Sequence, residues 1–277
     1  MNRLTFLFLA GLITLFGLTS DRAAAQEPSA EELAKELSNP VSDLISVPFQ
    51  FNYDEGLGLE GESGRYFLNI QPVIPTSISQ DWNLVTRVIL PVVYQESLFP
   101  AIPGVLPADD DDFGLSDTLT SFFLSPKQPV NGLIFGFGPA ILLPTATNSE
   151  LGSGKWSAGP TAVALTQQGG LTVGALSNHV WSFAGDDERD AVNRTFIQPF
   201  AAYAWPSGFT LTLNSESTYN WQTDEWTVPI NLVGSQIVDL GGQKASVFAG
   251  VRTYPESPDF GPDWGLRVGI TFLFPTQ

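Results

Sequence analysis

Phe209-Thr210-Leu211-Thr212-Leu213-Asn214-Ser215-Glu216-Ser217-Thr218-Tyr219-Asn220-Trp221 decides the fold. Phe209, Leu211, Leu213, Tyr219 and Trp221 share one face with Ser215 and Ser217. Thr210, Thr212, Asn214, Glu216, Thr218 and Asn220 fill the other. A period of two is a strand with one apolar and one polar side. This run is longer than the roughly 5–6 residues of an ordinary soluble strand and suits a tilted strand that crosses a bilayer.

The same alternation recurs on both sides of it. Val47, Phe49, Phe51 and Tyr53 alternate with Pro48, Gln50, Asn52 and Asp54. Tyr66, Leu68 and Ile70 alternate with Arg65, Asn69 and Gln71, with Phe67 breaking the polar face. Leu133, Phe135, Phe137, Ile141 and Leu143 oppose Gly136, Gly138 and Ala140; Trp226, Val228, Ile230 and Leu232 oppose Thr227, Asn231 and Ser235. At the end, Trp264, Leu266, Val268, Ile270, Phe272 and Phe274 oppose Gly265, Arg267, Gly269 and Thr271. Repeated alternation of this length predicts an all-β, antiparallel, up-and-down transmembrane β-barrel.

About twelve strands are expected, near 46–54, 65–75, 82–94, 113–125, 132–144, 155–167, 171–183, 194–205, 208–221, 226–238, 244–254 and 263–274. Short turns are expected at Pro126–Asn131, Gln168–Gly170, Pro206–Gly208 and Asp239–Gln243, and longer or more acidic connections at Asp54–Gly64, Glu96–Asp112, Thr145–Gly154, Gly185–Val192 and Pro255–Pro262. Short periplasmic turns and longer outer loops put both termini on the periplasmic side.

The chain opens differently. Arg3 precedes an apolar run from Leu4 to Leu18, which is followed by Ala23-Ala24-Ala25. That run is shorter than the roughly 20 residues of a spanning helix and carries a small-residue cleavage pattern. The reading is a signal peptide over 1–25, secretion to the periplasm and location in the outer membrane. Residues 26–45 are expected to be a periplasmic helical segment, and residues 46–277 the barrel. Ser29-Ala30-Glu31-Glu32 reads as a capping box, with Leu33 and Leu37 on one helical face and an end by Pro40. Such a segment would plug or pack on one end of the barrel.

Composition removes several function classes. Without Asp21, Arg3 and Arg22 the mature chain holds 28 acidic and 10 basic residues, a net charge of −18, which is no match for nucleic acid. Cysteine is absent and His179 stands alone, so no disulfide framework, thiolate nucleophile or histidine metal cluster is available. No cofactor is expected.

Charges within the expected strands mark the lumen. Arg65, Arg87, Glu216, Arg252 and Arg267 are candidates for the lumen lining and its constriction, because Arg at the lipid midplane would cost about 2–4 kcal/mol. Arg252 and Arg267 fall on adjacent strands and would repel if directly opposite, with Glu216 a counter-ion in reach. They form either an electropositive patch or an internal salt-bridge network. Phe67, Phe196 and Phe200 point inward and make the lumen mixed. Trp and Tyr recur near strand ends, at Tyr53, Trp82, Trp156, Trp181, Trp205, Trp221, Trp226 and Trp264, as interfacial girdles do. Asp109, Asp110, Asp111 and Asp112 form an acidic run in an outer loop, a weak cation candidate without the spacing of a calcium loop; a solvated loop explains the run better. Ser177 and His179 share a face that also carries Val173, Ala175, Trp181 and Phe183, which reads as lipid-facing rather than as a lipid hydrolase pair.

The last strand carries the most specific motif. In Arg267-Val268-Gly269-Ile270-Thr271-Phe272-Leu273-Phe274, the residues Gly269, Phe272 and Phe274 look like the C-terminal signal read by the barrel-assembly machinery, although Pro275-Thr276-Gln277 follow where that signal usually ends the chain. From about Val47 onward the chain resembles a family of outer-membrane transporters of the phenol-degradation meta-pathway type. The resemblance rests on Leu151-Gly152-Ser153-Gly154-Lys155-Trp156 with Ala158-Gly159-Pro160, Asn178-His179-Val180-Trp181-Ser182-Phe183-Ala184-Gly185, and Gln198-Pro199-Phe200. It rests also on Asn214-Ser215-Glu216-Ser217, Trp226-Thr227-Val228-Pro229-Ile230-Asn231 and Pro262-Asp263-Trp264-Gly265-Leu266-Arg267. It implies a barrel that passes small, aromatic or semi-polar molecules; no residue-level mechanism comes with it. The expected function is a non-enzymatic channel acting by passive diffusion, with outer-membrane lipid, lipopolysaccharide, the assembly machinery and a small solute as partners. A non-conducting structural or surface-interaction barrel is the alternative, and a lipid-modifying barrel enzyme is the weakest reading.

Overall fold

The computed structural model describes residues 28–98 and 110–275. The expected signal peptide and Asp109 lie outside the described residues. In chain order the elements are α1 (Ala30–Leu37), β1 (Ile45–Leu57), β2 (Ser63–Ile70), β3 (Val73–Ser77), β4 (Trp82–Gln95), β5 (Asp112–Leu115), β6 (Thr118–Pro126) and β7 (Leu133–Leu143). A 3₁₀ turn (Ser149–Leu151) precedes β8 (Lys155–Gln168), β9 (Leu171–Gly185), β10 (Asn193–Ala204), β11 (Phe209–Ser215), β12 (Ser217–Asn220), β13 (Glu225–Leu240), β14 (Gln243–Glu256) and β15 (Trp264–Phe274). Each stave pairs antiparallel with its sequence neighbour, β15 pairs β1, and the sheet closes as a barrel of twelve staves.

Fifteen strands make twelve staves because three staves are interrupted. Across the β2/β3 break the register against β1 continues, from Phe49↔Ile70 to Ser46↔Val73. The β11/β12 break likewise keeps one register against β13, from Ser215↔Ile230 to Thr218↔Thr227. Only β5/β6 shifts by one residue against β4, from Val92↔Leu115 to Ile89↔Leu119. At all three breaks the chain reaches a proline carbonyl on the neighbouring strand: Gln71 N–H to Pro48, Ser116 N–H to Pro91 and Glu216 N–H to Pro229. Those prolines have no N–H to return, so the ladder lapses there although the strand continues.

The alternation read from the sequence is the one observed. Phe209, Leu211 and Leu213 are exposed on the outside while Thr210 is buried within. Trp264, Leu266, Val268 and Phe274 face out, and Arg267, Thr271 and Leu273 are buried inside. Aromatics gather at both rims of this apolar surface. At the long-loop rim Tyr53 lies 4.7 Å from Tyr66 and 6.0 Å from Trp264, and Tyr219 lies 4.8 Å from Trp221 and 4.9 Å from Trp226. At the short-turn rim Trp205 lies 4.7 Å from Tyr203 and 5.4 Å from Phe209. An apolar belt between two aromatic girdles is the outer surface of a membrane-spanning barrel.

The N-terminal segment goes inside. Ser29 and Glu32 form the capping box, with Ser29 N–H to Glu32 at 2.7 Å and Glu32 N–H to Ser29 Oγ at 3.2 Å. Leu33 is buried with Leu44 and Leu273, backed by Leu37 and Ile237. Gln167 donates to the Lys35 carbonyl at 2.9 Å, and Asn83 donates to Asp43. Helix α1 therefore sits in the barrel mouth at the short-turn end. Beyond it Val41 packs into an inward cluster of Val85, Phe123, Val163, Leu165 and Leu176, with Phe196 and Phe200 against it. The donation from Ser29 holds the Glu32 carboxyl below the usual range, so the cap weakens only as pH falls through that lowered value. Burial, with Asp43 beside it, raises the Glu36 carboxyl; its ionisation opposes docking, and that opposition fades as pH falls.

Candidate functional site

The inward polar residues of six neighbouring strands converge on one belt of charge. Asp54 on β1 is fully buried and faces two arginines: Arg252 Nη1 at 3.1 Å and Arg65 Nη2 at 3.1 Å. Glu216, at the β11/β12 break, accepts from Arg267 Nη1 at 2.9 Å, Arg267 Nη2 at 2.7 Å and Arg252 Nη2 at 2.9 Å. Asparagines take the Nε–H groups of two of the arginines: Arg252 Nε donates to Asn231 at 3.0 Å and Arg267 Nε to Asn52 at 2.8 Å. Asn231 in turn donates to Asn214 at 2.9 Å. Rings complete the belt, with Phe67 5.4 Å from the Arg65 guanidinium and 5.8 Å from that of Arg252, and Tyr254 5.5 Å from Arg252.

Arg252 and Arg267 are adjacent-strand residues but not directly opposite. Arg252 pairs with Gly265 and Gly250 with Arg267, so each arginine crosses a glycine and the two charges sit diagonally with Glu216 between them. The glycine is required at 265. A Cβ there would fall on the Tyr53 carbonyl and lie 3.0 Å from Arg252 Cδ. Gly265→Val should therefore cost several kcal/mol through backbone displacement and overpacking; the check is the urea midpoint of the protein refolded in vesicles, with Gly234→Ala, where a Cβ would meet only the Phe209 ring at ordinary contact distance, as the mild comparison.

Of the five lumen candidates, four (Arg65, Glu216, Arg252, Arg267) meet in this belt. The fifth, Arg87, also points inward but donates to Gln71 at 2.9 Å. Asp54 is the member that sequence reading missed as a partner. Its place on the polar face is visible, and Arg65 stands directly opposite it in the β1–β2 hairpin, but Arg252 reaches it from a strand 198 residues away.

Two cavities flank the belt. Toward α1 lies one of about 250 Å³, lined by Gln50, Gln71, Gln198, Phe200, Phe248 and Arg267 among others. Toward the long loops lies one of about 330 Å³, lined by Arg65, Phe67, Asn69 and Gln95, with Glu150 and Leu151 of the 3₁₀ turn. That turn is folded inward and clamped: Ser116 donates to the Leu151 carbonyl at 2.6 Å, and Arg189 donates to the carbonyls of Ser149 at 2.7 Å and Gly152 at 2.6 Å. The lumen is thus two-sided. The β12 to β2 side is ionic, whereas the β4 to β10 side is filled by the apolar cluster around Phe123.

The other candidates fall elsewhere. Ser177 and His179 share the outer face, but Ser177 donates to the Phe196 carbonyl at 2.8 Å and His179 bonds Thr195 at 2.7 Å, so the two are not hydrogen-bonded to each other. Asp111 accepts from the Tyr94 hydroxyl and the Ser97 N–H, which hold its carboxyl below the usual range. Asp112 accepts from Asn148, and among the described residues no three metal-binding side chains converge. In the terminal motif Gly269 faces in, where a Cβ would fall on the Phe49 carbonyl. Phe272 meets Phe49 at 6.1 Å, and Phe274 is exposed.

No family model and no curated protein matches the sequence. Among solved structures the chain is similar to an outer membrane channel from Pseudomonas putida F1, with a TM-score of 0.62 and 14% identity over 83% of this chain and 94% of that one. A porin aligns with a TM-score of 0.41 and 12% identity over 78% of this chain and 64% of the porin. The first likeness shows the fold: this chain is built as a closed, antiparallel transmembrane β-barrel.

Proposed function

We propose that the protein is an outer-membrane channel through which small, semi-polar or aromatic molecules diffuse passively, of the kind its motifs resemble among phenol-degradation meta-pathway transporters. The observation that carries this reading is the cavity of about 250 Å³ inside the barrel, where amides of Gln50, Gln71 and Gln198 face the rings of Phe200 and Phe248. Mixed amide and aromatic walls suit a solute with an apolar body and a few polar atoms. The belt above it, with arginines outnumbering carboxylates, would set a narrow and electropositive passage. The signal peptide would deliver the chain to the periplasm, and the assembly machinery would insert it beside lipopolysaccharide.

A second reading has its own support. Helix α1 occupies the short-turn mouth and the belt joins half the wall through ion pairs, which is what a non-conducting structural barrel would contain. Single-channel recording of the refolded mature protein separates the two. The channel reading expects small, stable conductance steps that change with Arg267→Ala. Silence from protein verified as folded by its heat-dependent gel shift would sink it and favour the structural barrel.

A further inference from the structure

One arginine of the lumen stands outside the ion-paired belt. Arg87 lies on the inner face of β4, opposite Val73 of β3 and Ser121 of β6, next along that face to fully buried Val85. Among the described residues it pairs with no carboxylate, and its hydrogen bond runs from Nη2 to Gln71 Oε1 at 2.9 Å. Glu216 attracts it across the lumen, but that carboxylate already accepts from both Nη groups of Arg267 and from Arg252. The belt and Arg87 together thus set Arg65, Arg87, Arg252 and Arg267 against Asp54 and Glu216. A guanidinium without a counter-ion is costly in such a narrow interior, where little water is at hand to solvate it.

Its free donors stand at the edge of the inner cavity. Gln71 lies at the β2/β3 break, where its N–H bonds the Pro48 carbonyl at 2.9 Å and fixes the backbone. Its side chain lines the cavity of about 250 Å³. A guanidinium only donates, so the Gln71 carbonyl oxygen must turn toward Arg87 and its amide N–H groups away. Neither that amide nitrogen nor Arg87 Nε and Nη1 has a protein acceptor among the described residues, and none of them is sealed from the lumen. Arg65 differs, because its unpartnered Nε is closed off. Open donors beside an uncompensated positive charge make a place for an anion. An apolar shelf adjoins it. Val85 belongs to the cluster that Val73 and Phe200 pack against, and Phe200 lines the cavity together with Phe248.

We propose that Arg87 and Gln71 form a carboxylate subsite at the inner cavity, which takes a monocarboxylate with an aromatic or apolar body. The two oxygens of a carboxylate match N–H groups set side by side, and its single charge answers the single unpaired guanidinium. A phosphate dianion would leave its second charge unanswered. The body of the solute lies against Phe200 and Phe248. The proposal rests on the channel reading above for its role, and names the class of solute that the inner cavity holds in transit.

The probes are phenylacetate and its uncharged isostere phenylacetamide. Each is titrated at neutral pH into the refolded full mature protein in detergent, and binding is read by calorimetry. The expected result is that the acid binds about tenfold or more tighter than the amide, the size of one charge-assisted contact. Arg87→Gln should bring the acid down to the affinity of the amide and leave the amide as before, whereas Arg87→Lys should keep part of the preference. Since Arg87 makes no ion pair among the described residues, both variants should retain the heat-dependent gel shift of the folded barrel. Gln71→Leu removes a donor with Arg87 in place and should also weaken the acid. Wild-type protein that binds acid and amide equally, or binds neither, overturns the subsite, as does an acid preference that survives Arg87→Gln. Single-channel recording of the same preparations keeps the two readings apart. Arg87-dependent binding of the acid in protein that does not conduct keeps the subsite and removes the channel; conducting protein that ignores the charge of the probe keeps the channel and removes the subsite.

Discussion

Deleting residues 30–43 should raise the single-channel conductance severalfold and increase its fluctuations. The segment is held in the mouth mainly by apolar anchors. Leu33, Val41 and Leu44 are at most 5% exposed, and each such side chain contributes about 1.5–3 kcal/mol when fully buried. A milder perturbation makes the same point without shortening the chain. In Leu33→Asp with Val41→Asp, a carboxylate would have to enter an apolar site at each anchor, which costs several kcal/mol. The wall residues are untouched, so the barrel should keep its thermal midpoint within a few degrees while the mouth opens. Conductance equal to wild type in both variants would show that the segment lies outside the conducting path.

The second large effect is on stability. Arg252→Leu removes a partner from Asp54 and from Glu216 at once. Breaking a buried pair costs about 3–5 kcal/mol because the surviving charge remains in place. The expected drop in unfolding free energy, read by urea titration in vesicles, is of that size. Asp54→Asn should cost less than Arg252→Leu, since Arg252 keeps Glu216 and Asn231. The double variant should cost less than the sum of the two, the sign of direct coupling. Single losses below about 1 kcal/mol would mean that water has entered the belt and screens it as it does a surface pair.

Much of this barrel is legible in the order of its residues. Strict alternation tells which residues share a face, and a barrel has only two faces, so Arg65, Glu216 and Arg267 can be placed in the lumen from their neighbours alone. Chain position of the short turns locates the end at which α1 docks. The harder information is lateral. Asp54 and Arg252 are separated by 198 residues, and their meeting depends on which strands close the cylinder. The strand breaks are also hidden, because a lapse at Gln71, Ser116 or Glu216 is caused by a proline on a neighbouring strand and not by the residue itself. The apolar half of the lumen is underread for a related reason. Val85, Phe123, Val163 and Leu165 lie in strands whose polar residues fall on both faces of the alternation, Thr86 and Arg87, Thr120 and Ser121, Thr161 and Thr166, so the inner face there cannot be told from the outer by polarity. Val41, which fills that side from the N-terminal segment, has no strand periodicity to announce it.

The glycines of β15 have a consequence for how the cylinder is shut. The seam between β1 and β15 is the one formed by the two ends of the barrel sequence, and hydropathy alone would tolerate sliding one strand by two residues, since every side chain would keep its face. At Gly265 and Gly269 the inner surface of β15 comes against the carbonyls of Tyr53 and Phe49, with no room for a Cβ. Sliding by two would bring Arg267 or Asp263 to the first place and Thr271 or Arg267 to the second. Every such misalignment collides twice, and only one alignment lets first and last strand zip fully. The empty side-chain positions act as a key at the closing edge, selecting the correct cylinder from the near-identical ones that a repetitive pattern would otherwise permit.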